Sequence, residues 1–263
     1  MAFKLMTPSE DLGPLPRSRR PSRGLSVVEA LGLGVVLVVL TVITVHLLQV
    51  DPVSKALRAR YGPSKVTEWQ EEWIIRDFFR DRREGIFLDV GAQHYREGSN
   101  TYFLETQLGW SGIAVDAMLE YGPDYAVHRP RTRYVAMFAA DLDNITVPFF
   151  VSPNVLVSSA DQDFARARGG VSEMRQVPTA KLTTLLDQWG ITKIDFMSMD
   201  IELAEPKALA GLDIERFRPD LVCIEGHLEV RQQILDYFAR HGYVVIGKYL
   251  RADEHNLYFM PIG

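Results

Sequence analysis

The chain reads IFLDVGA at residues 86–92, where a short, largely apolar run at Ile86–Val90 contains one acid, Asp89, and is followed by Gly91. A run of this length, preceded by Gly85, is typical of a strand that is buried on both faces. A glycine after such a strand lets the backbone approach a ligand, and a following helix offers free N–H groups at its start. The pattern predicts the first strand of an α/β sheet with a binding loop behind it.

Further apolar runs follow, with room for helices between them. They lie at Ile113–Asp116, Tyr134–Phe138, Ile194–Met199 and Leu221–Glu225. Three helical stretches, Thr101–Leu108, Lys181–Trp189 and Glu229–His241, are each followed by a glycine, a common helix stop. Alternation of strand and helix with short connections predicts a parallel sheet covered on both faces.

The C-terminal end breaks this alternation. Val244–Gly247 and Asn256–Phe259 are consecutive apolar runs with no helical stretch between them, which predicts an antiparallel edge pair. The sequence therefore predicts an open α/β sheet, mostly parallel, with its ligand site beyond the carboxyl ends of the strands. Upstream, the stripe of apolar residues in Lys65–Arg83 predicts an amphipathic helix, with Trp69 and Trp73 packed in the core.

The first fifty residues differ in composition from the rest of the chain. Ala30–Val50 is a run of 21 residues without a formal charge, and a helix of roughly 20 apolar residues crosses a bilayer. The run is longer than the roughly 7–15 residues of a secretory signal, and no small-residue cleavage site follows it. We predict a single membrane helix at residues 24–50, in contact with membrane lipid, after a disordered, basic and proline-rich tail at residues 1–23.

The side of the membrane on which the C-terminal part lies stays open. Four basic residues precede the span and four follow it: Arg17, Arg19, Arg20 and Arg23 before, and Lys55, Arg58, Arg60 and Lys65 after. Because Lys and Arg near the ends set orientation, this balance gives only a weak preference for a cytoplasmic tail. His46 is expected at the headgroup level, and its use as a pigment ligand also stays open.

The charge of residues 51–263 limits the partners of this part of the chain. It carries 24 basic and 31 acidic groups, a net charge of −7, which disfavours nucleic acid as a partner. The single cysteine, Cys223, excludes an internal disulfide and a cysteine metal cage.

Acidic residues follow the predicted strands at the edge where ligands bind. Asp116 ends the second strand 25 residues after Gly91, a position suited to accepting hydrogen bonds from two ribose hydroxyls. One glycine and one acid are a weak signal by themselves. The sequence has neither G-x-G-x-x-G nor a Walker Gly-Lys-Ser/Thr, which disfavours dinucleotide and nucleoside-triphosphate binding.

Two later strand ends concentrate titratable groups. The fourth strand ends in MDIELAE at residues 199–205, and the fifth in CIEGH at residues 223–227. Crowded carboxylates raise one another's pKa or recruit a cation, so we predict a functional role for Asp200 at the strand tip. Glu202 and Glu205 fit either a site or the cap of the next helix, where negative charge is favourable.

Several segments, in this order along the chain, resemble the FkbM-type methyltransferases. They are FLDVGA at 87–92, SNTYFLE at 99–105, GW at 109–110, DFMSMDIE at 195–202 and VCIE at 222–225. The resemblance runs from about Ile86 to the C-terminus. It implies a Rossmann-like, seven-stranded sheet, S-adenosylmethionine as cofactor and O-methyl transfer.

The resemblance also implies roles for individual residues. Asp89 and Gly91 would shape the methionine pocket, Asp116 would hold the ribose, Asp141 would face the adenine, and Asp200 would border the methyl-transfer site. Together with the composition of the N-terminal part, the resemblance divides the chain into the tail at 1–23, the membrane helix at 24–50, a linker with an amphipathic helix at 51–84, and a methyltransferase-like domain at 85–263.

The expected chemistry is modest, since a methyl sulfonium already carries its own driving force. The protein must align an acceptor oxygen with the methyl group and exclude water. We predict Asp200, His227 and Glu225 as the catalytic set, with His227 as the base best matched to neutral pH. No metal is expected, although a divalent ion held by Asp200, Glu202 and Glu225 is the alternative.

Two positions depart from the family pattern. Tyr95 stands where the loop often has a third glycine, and Leu203 stands where Asp-x-Glu-Gly-x-Glu has one. A leucine adopts positive φ at a cost and adds bulk beside the cleft, so turnover is in question.

Two functions follow. The favoured one is a membrane-anchored S-adenosylmethionine-dependent O-methyltransferase for a lipid-linked, glycosyl or small amphiphilic acceptor. The other is an inactive methyltransferase-like accessory subunit of a larger membrane complex.

Overall fold

The computed structural model describes residues 32, 35, 36, 51–63 and 65–263. Among these residues, no helix is long and apolar enough to cross a bilayer. The predicted tail at 1–23 lies outside the described residues, as do His46 and nearly all of the predicted membrane helix at 24–50.

The described chain from residue 51 onward consists of short strands and short helices. The strands are β1 (Ile86–Val90), β2 (Ser111–Asp116), β3 (Thr132–Ala136), β4 (Phe138–Ala139), β5 (Thr146–Val151), β6 (Glu173–Ala180), β7 (Phe196–Met199), β8 (Leu221–Glu225), β9 (Tyr243–Val245) and β10 (Asn256–Pro261). The helices are α1 (Pro52–Tyr61), α2 (Glu71–Phe79), α3 (Tyr102–Leu108), α4 (Gly122–His128), α5 (Gln162–Arg168), α6 (Leu182–Gln188), α7 (Glu205–Ala210), α8 (Ile214–Phe217) and α9 (Arg231–Arg240).

The main sheet has seven strands in the order β3-β2-β1-β7-β8-β10-β9. The five strands from β3 to β8 run parallel to one another, and β10 pairs antiparallel with both β8 and β9. The mostly parallel, seven-stranded sheet with an antiparallel edge pair is confirmed. Its carboxyl-end edge brings together the ends of β1, β2, β7 and β8, where the site residues were predicted.

Alternation along the buried strands divides the core into two layers. Leu88 and Val90 pack on one face of the sheet with residues of α6, α7, α8 and α9. Phe87 packs on the other face with residues of α1, α2 and α3. Because successive side chains of a strand point to opposite faces, a fully buried run such as β1 needs helices on both sides.

The segment predicted as a third strand at Tyr134–Phe138 divides into two. β3 ends at Ala136 in the main sheet, and β4 begins at Phe138 in a second, three-stranded sheet with the order β4-β6-β5. Met137, between them, donates its backbone N–H to the carbonyl of Asp116 at 2.8 Å. The sequence did not predict this second sheet, whose longest pairing is the antiparallel ladder of β5 with β6.

The predicted helix at Lys65–Arg83 is shorter than expected and begins at Glu71. Before it, Thr67 pairs with Gly98, and the N–H of Gly98 donates to the carbonyl of Val66 at 2.9 Å. This pairing holds residues 65–71, which we call the strap, against the loop after β1. Trp73 is buried as predicted, but Trp69 is 40% exposed, so its core prediction was wrong.

Candidate active site

Gly91 brings the end of β1 against the end of β7. Its φ is +82°, and a Cβ at this position would overlap the carbonyl oxygen of Asp200. The N–H of Asp200 donates to the carbonyl of Val90 at 2.9 Å. Only glycine meets both requirements, the left-handed backbone and the close approach of a neighbouring strand end. Gly91 therefore sets the position of Asp200.

Asp116 is fixed by two backbone amides. Its Oδ2 accepts from the N–H of Gln93 at 2.9 Å, and its Oδ1 accepts from the N–H of Met118 at 2.8 Å. Burial raises the pKa of this carboxyl group to about 6, and the two amide hydrogen bonds oppose the rise. Each oxygen keeps a lone pair, so the group can still accept hydrogen bonds from a diol.

Two connected cavities open at this edge of the sheet. A narrow apolar slot of about 40 Å³ is lined by Gly91, Asp116 and Asp200, together with Met118 and Phe138 among others. Beside it lies a main cavity of about 640 Å³, which is within the range of about 300–1,000 Å³ usual for small-molecule sites. The two share several lining residues, including Gly91 and Asp200.

Asp89 lines the main cavity and belongs to a buried network. Its Oδ2 accepts a hydrogen bond from the Thr101 hydroxyl at 2.7 Å. The Thr101 hydroxyl oxygen accepts in turn from Nη2 of Arg129 at 3.0 Å. Arg129 is fully buried, pairs with Glu105 at 2.6 Å and donates to the carbonyl of Tyr95 at 2.8 Å. Burial raises the pKa of Asp89 to about 6, while Thr101 and Arg129 oppose the rise.

The network of Asp89, Thr101, Arg129 and Glu105 fixes the loop after β1 through the hydrogen bond from Arg129 to the Tyr95 carbonyl. The sequence did not identify Arg129, because HRPRTR at 128–133 contains three arginines and only the fold places one of them inside the protein. A buried charge is tolerated when it is paired and hydrogen-bonded, as Arg129 is.

Asp200 lies exposed into the cleft, at the junction of the two cavities. Protein atoms packed around its carboxyl group desolvate it and raise its pKa well above the usual value, and the nearby carboxylates of Glu225 and Glu202 raise it further. A raised pKa makes the ionised carboxylate a stronger base than an ordinary aspartate, and a cation bound beside it favours the ionised form.

His227 is held between two carboxylates. Its Nε2 lies 3.0 Å from Oε2 of Glu202 and 2.9 Å from Oε1 of Glu225. Hydrogen bonding to Glu202 and then to Glu225 raises the pKa of His227 to about 10, so the ring is an imidazolium at neutral pH. Such a ring cannot accept a proton, which argues against the predicted role of His227 as the base.

The same three residues form a cluster of metal-ligating type. Ligand atoms of Glu202, Glu225 and His227 lie within 4.8 Å of one another. The set differs from the predicted one by having His227 in place of Asp200. Two carboxylates and an imidazole suit a transition metal better than Mg²⁺.

Glu205 and Glu202 have separate roles. Glu205 is fully buried in the first turn of α7, and its Oε1 accepts from the N–H of Ile201 at 3.0 Å in the loop before the helix, so it holds this loop and does not cap the helix. Burial raises its pKa to about 7. Glu202 instead lines both cavities and contacts His227, which matches the site interpretation.

The two departures from the family pattern lie beside the cleft, not in it. Leu203 has the expected unfavourable φ of +77°, but it packs partly against the core and lines a neighbouring cavity of about 300 Å³, which shares Phe138 and Glu202 with the slot. The Tyr95 ring packs between His94 and His128, each with its centroid 4.5 Å away. In the part of the chain that the structure describes, neither residue lines the slot or the main cavity.

Asp141 is the one predicted cofactor residue that the structure does not bring to the cleft. It follows β4, and it lines neither the slot nor the main cavity as the described residues form them. Its Oδ1 is buried without a hydrogen-bond partner among those residues. The predicted contact of Asp141 with adenine stays a prediction.

Comparison with known proteins identifies one family. A sequence model described as the methyltransferase FkbM domain matches residues 89–245, more than half of the chain. No curated protein matches the sequence.

Solved methyltransferase structures give more distant likenesses. A TehB-like SAM-dependent methyltransferase from Corynebacterium glutamicum is 16% identical, with a TM-score of 0.43 and coverage of 79% of this chain and 94% of that one. A precorrin-6y C5,15-methyltransferase from Geobacter metallireducens is 11% identical, with a TM-score of 0.40 and coverage of 70% and 76%. A 1,6-didemethyltoxoflavin-N1-methyltransferase from Burkholderia thailandensis, solved with S-adenosylhomocysteine, is 15% identical, with a TM-score of 0.35 and coverage of 72% and 74%.

Proposed function

This chain belongs to the FkbM methyltransferase family, and from that premise we propose that it is an active, membrane-anchored O-methyltransferase that uses S-adenosylmethionine. The observation that carries the proposal is the cleft at the strand ends. Gly91, Asp116 and Asp200, which follow or end three different strands, line one continuous space. Ligands of open α/β sheets bind at such an edge.

The cofactor's position follows from the chemistry of the lining. Asp116, whose carboxylate is already oriented by two amides, would accept hydrogen bonds from the ribose hydroxyls. The apolar slot beside Met118 and Phe138 would take the base, for which it must widen from its volume of about 40 Å³. Asp89 and Asn100 would hold the methionine end in the main cavity, because the buried Oδ1 of Asn100 has no partner among the described residues and can accept from an ammonium group.

When bound, the sulfonium supplies an activated methyl group. The protein's task is to orient an acceptor hydroxyl toward it and to remove the hydroxyl proton. We assign the base to Asp200, whose carboxyl group lies at the junction of the two cavities. His227, held as an imidazolium by Glu202 and Glu225, partly neutralises the carboxylates around Asp200 and orients Glu225.

The alternative, an inactive accessory subunit, rested on Tyr95, on Leu203 and on the weak preference for a cytoplasmic tail, which would put the domain on the side of the membrane where the methyl donor is not usually supplied. Tyr95 and Leu203 lie outside the two cavities as the described residues form them. The preference for a cytoplasmic tail rests on the sequence alone. The anchor at residues 24–50 and a lipid-linked, glycosyl or amphiphilic acceptor rest on the sequence alone.

Calorimetry on the full chain in detergent tests the cofactor. We expect S-adenosylmethionine and S-adenosylhomocysteine to bind with one site per chain, and Asp116→Ala to weaken both. The matched control is Asp187→Ala, an exposed aspartate at the end of α6 that does not line either cavity. Absence of binding by the folded wild-type chain would exclude the proposal.

A second experiment tests the anchor. The full chain, expressed in cells and fractionated, is expected in the membrane pellet through alkaline carbonate washing, whereas a chain lacking residues 24–50 is expected in the supernatant. Accessibility of a C-terminal tag in sealed vesicles then shows which face carries the domain. A full-length chain that washes off the membrane would contradict the anchor but not the methyltransferase assignment.

A further inference from the structure

The outer wall of the main cavity is built from segments that lie outside the family match. The strap at 65–71 contributes Glu68, Trp69 and Glu71, and the C-terminal turn before β10 contributes His255. Both segments fall outside residues 89–245, the part matched by the family model. The family therefore does not determine what this wall recognises.

An aromatic pair forms the exposed part of this wall. The rings of Trp69 and His255 stack with their centroids 4.0 Å apart and an interplanar angle of 13°. Trp69 remains 40% exposed after this stacking, and both rings line the cavity. An exposed aromatic pair at the mouth of a cleft offers a flat apolar surface with polar edges.

The pair is held rigidly before any ligand arrives. The backbone N–H of Trp69 donates to Oε2 of Glu71 at 2.8 Å. The other carboxylate oxygen of Glu71, Oε1, accepts from Nδ2 of Asn256 at 3.2 Å. The strap is tied to the loop after β1 through Gly98 and Val66. A surface that is fixed in this way loses little conformational entropy on binding.

The cavity lining carries more acidic than basic groups. Seven carboxyl groups line it: Glu68, Glu71, Asp89, Glu97, Asp200, Glu202 and Glu225. Arg168 is the one lysine or arginine among the described lining residues, and Lys65 beside the cavity offsets part of the charge of Glu68 and Glu71. Burial raises the pKa of Glu71 to about 7, so this group is only partly ionised at neutral pH. The remaining carboxylates still leave the cavity with an excess of negative charge. An anionic acceptor is repelled by such a field.

One buried carboxylate oxygen at the base of the cavity can accept a further hydrogen bond. Oε2 of Glu225 is buried and receives no hydrogen bond from an amide, amine or hydroxyl donor of the described residues, while its Oε1 contacts His227. The carboxyl group of Asp200 lies within hydrogen-bond reach of Glu225, but it is not a donor when it is ionised. A hydroxyl group is a donor that satisfies it. The ligand that fits all three features carries hydroxyl groups, has a flat apolar face and lacks negative charge.

We propose that Trp69 and His255 form the acceptor platform, and that the acceptor presents an uncharged hydroxylated ring of the size of one sugar. One face of the ring lies on the aromatic pair, and a hydroxyl donates to Glu225. This inference rests on the proposed function for the adjoining cofactor site, and it names the acceptor class that the earlier proposal leaves broad.

Saturation-transfer-difference NMR on the full chain in detergent, loaded with S-adenosylhomocysteine, tests the platform. The probes are methyl glucopyranoside, its 6-amino-6-deoxy analogue and its uronate, which share a ring and differ in charge. We expect the neutral pyranoside to bind and the uronate to bind about tenfold more weakly or not at all. Trp69→Ala and His255→Ala are expected to weaken the neutral probe about tenfold.

His241→Ala is the matched control, because His241 lies at the end of α9 and does not line the cavity. Affinity for S-adenosylhomocysteine is measured for every variant and is expected to stay unchanged, which shows that the variants fold. The inference is overturned if no pyranoside binds the loaded protein, if Trp69→Ala binds like the wild type, or if the uronate binds best. A chain that does not bind S-adenosylhomocysteine refutes the proposed function itself.

Discussion

Replacement of Gly91 by alanine is expected to damage stability and cofactor binding together. A Cβ on Gly91 would lie 2.8 Å from the carbonyl carbon of Asp200 and 3.1 Å from Cγ2 of Ile201, and it would overlap the Asp200 carbonyl oxygen. Ordinary carbon contacts lie at about 3.5–4.0 Å, so the ends of β1 and β7 must separate. Because Asp200 is positioned through this contact, the cleft must widen.

The expected loss of stability in Gly91→Ala has two contributions. A non-glycine residue at a φ of +82° costs about 1–2 kcal/mol, and forced overpacking costs about 1–3 kcal/mol more. We therefore expect Gly91→Ala to lower the free energy of unfolding by about 2–5 kcal/mol. Gly190→Ala separates the contributions, since Gly190 has a φ of +65° and nothing within 4 Å of its Cβ position. The control should lose only about 1–2 kcal/mol.

The assay is urea unfolding of the full chain in detergent, followed by tryptophan fluorescence, with calorimetry for S-adenosylhomocysteine on the folded fraction. Gly91→Ala should lose both stability and affinity, and Gly190→Ala should keep its affinity. If the two variants unfold at the same urea concentration and bind equally well, the contact between Gly91 and Asp200 does not shape the cleft.

Three further predictions concern the turn, the titration of the site and its support. Leu203→Gly removes the strain of a positive φ but also removes a half-buried side chain, so the free energy of unfolding should stay within about 1 kcal/mol of the wild-type value. The affinity for the cofactor should stay unchanged, and a loss of affinity would place Leu203 in the site. Because the pKa of Asp116 is raised to about 6 and the cationic cofactor favours the carboxylate, affinity for S-adenosylmethionine should fall as pH drops through 6 and level off above it. Calorimetry between pH 5 and 8 should show a shallower profile for Asp116→Asn, and equal profiles would refute the assignment. Arg129→Ala leaves Glu105 as an unpaired buried charge and should lower the free energy of unfolding by about 3–5 kcal/mol. Arg216→Ala breaks an exposed ion pair and should lower it by less than about 1 kcal/mol in the same urea assay. Similar losses in the two variants would contradict the role of the buried network.

The sequence predicted the parts of the fold that local pattern determines. β1 and β8 were placed with the same bounds that the structure gives, because a strand buried on both faces is a nearly continuous apolar run. The edge pair was recognised because no helical stretch separates its two strands. The position of Gly91, Asp116 and Asp200 at one edge followed from the rule that the carboxyl ends of parallel strands meet there.

Long-range pairing explains what the sequence did not predict. The strap is not helical where Thr67 pairs with Gly98, and nothing in Lys65–Arg83 itself marks a change from helix. The second sheet depends on pairing of β5 with β6, which lie more than twenty residues apart along the chain. Neither contact leaves a signal in the local spacing of apolar residues.

The electrostatics of the site also depended on the fold. His227 was predicted as a base because an isolated histidine titrates near neutral pH. Two carboxylates at 2.9 and 3.0 Å keep it protonated instead, and no spacing in the sequence gives those distances. The expectation that acidic residues cluster at these strand ends was correct. The pKa of each group, however, depends on contacts between residues at the ends of β7 and β8.

A crystal structure of the chain with S-adenosylhomocysteine bound tests most directly whether the cofactor lies at the ends of β1, β2 and β7. We expect the ribose hydroxyls within hydrogen-bond distance of Asp116, the base in the slot beside Met118 and Phe138, and the sulfur atom facing Asp200. A ligand bound elsewhere on the chain, with Asp116 still joined only to the amides of Gln93 and Met118, would contradict this placement.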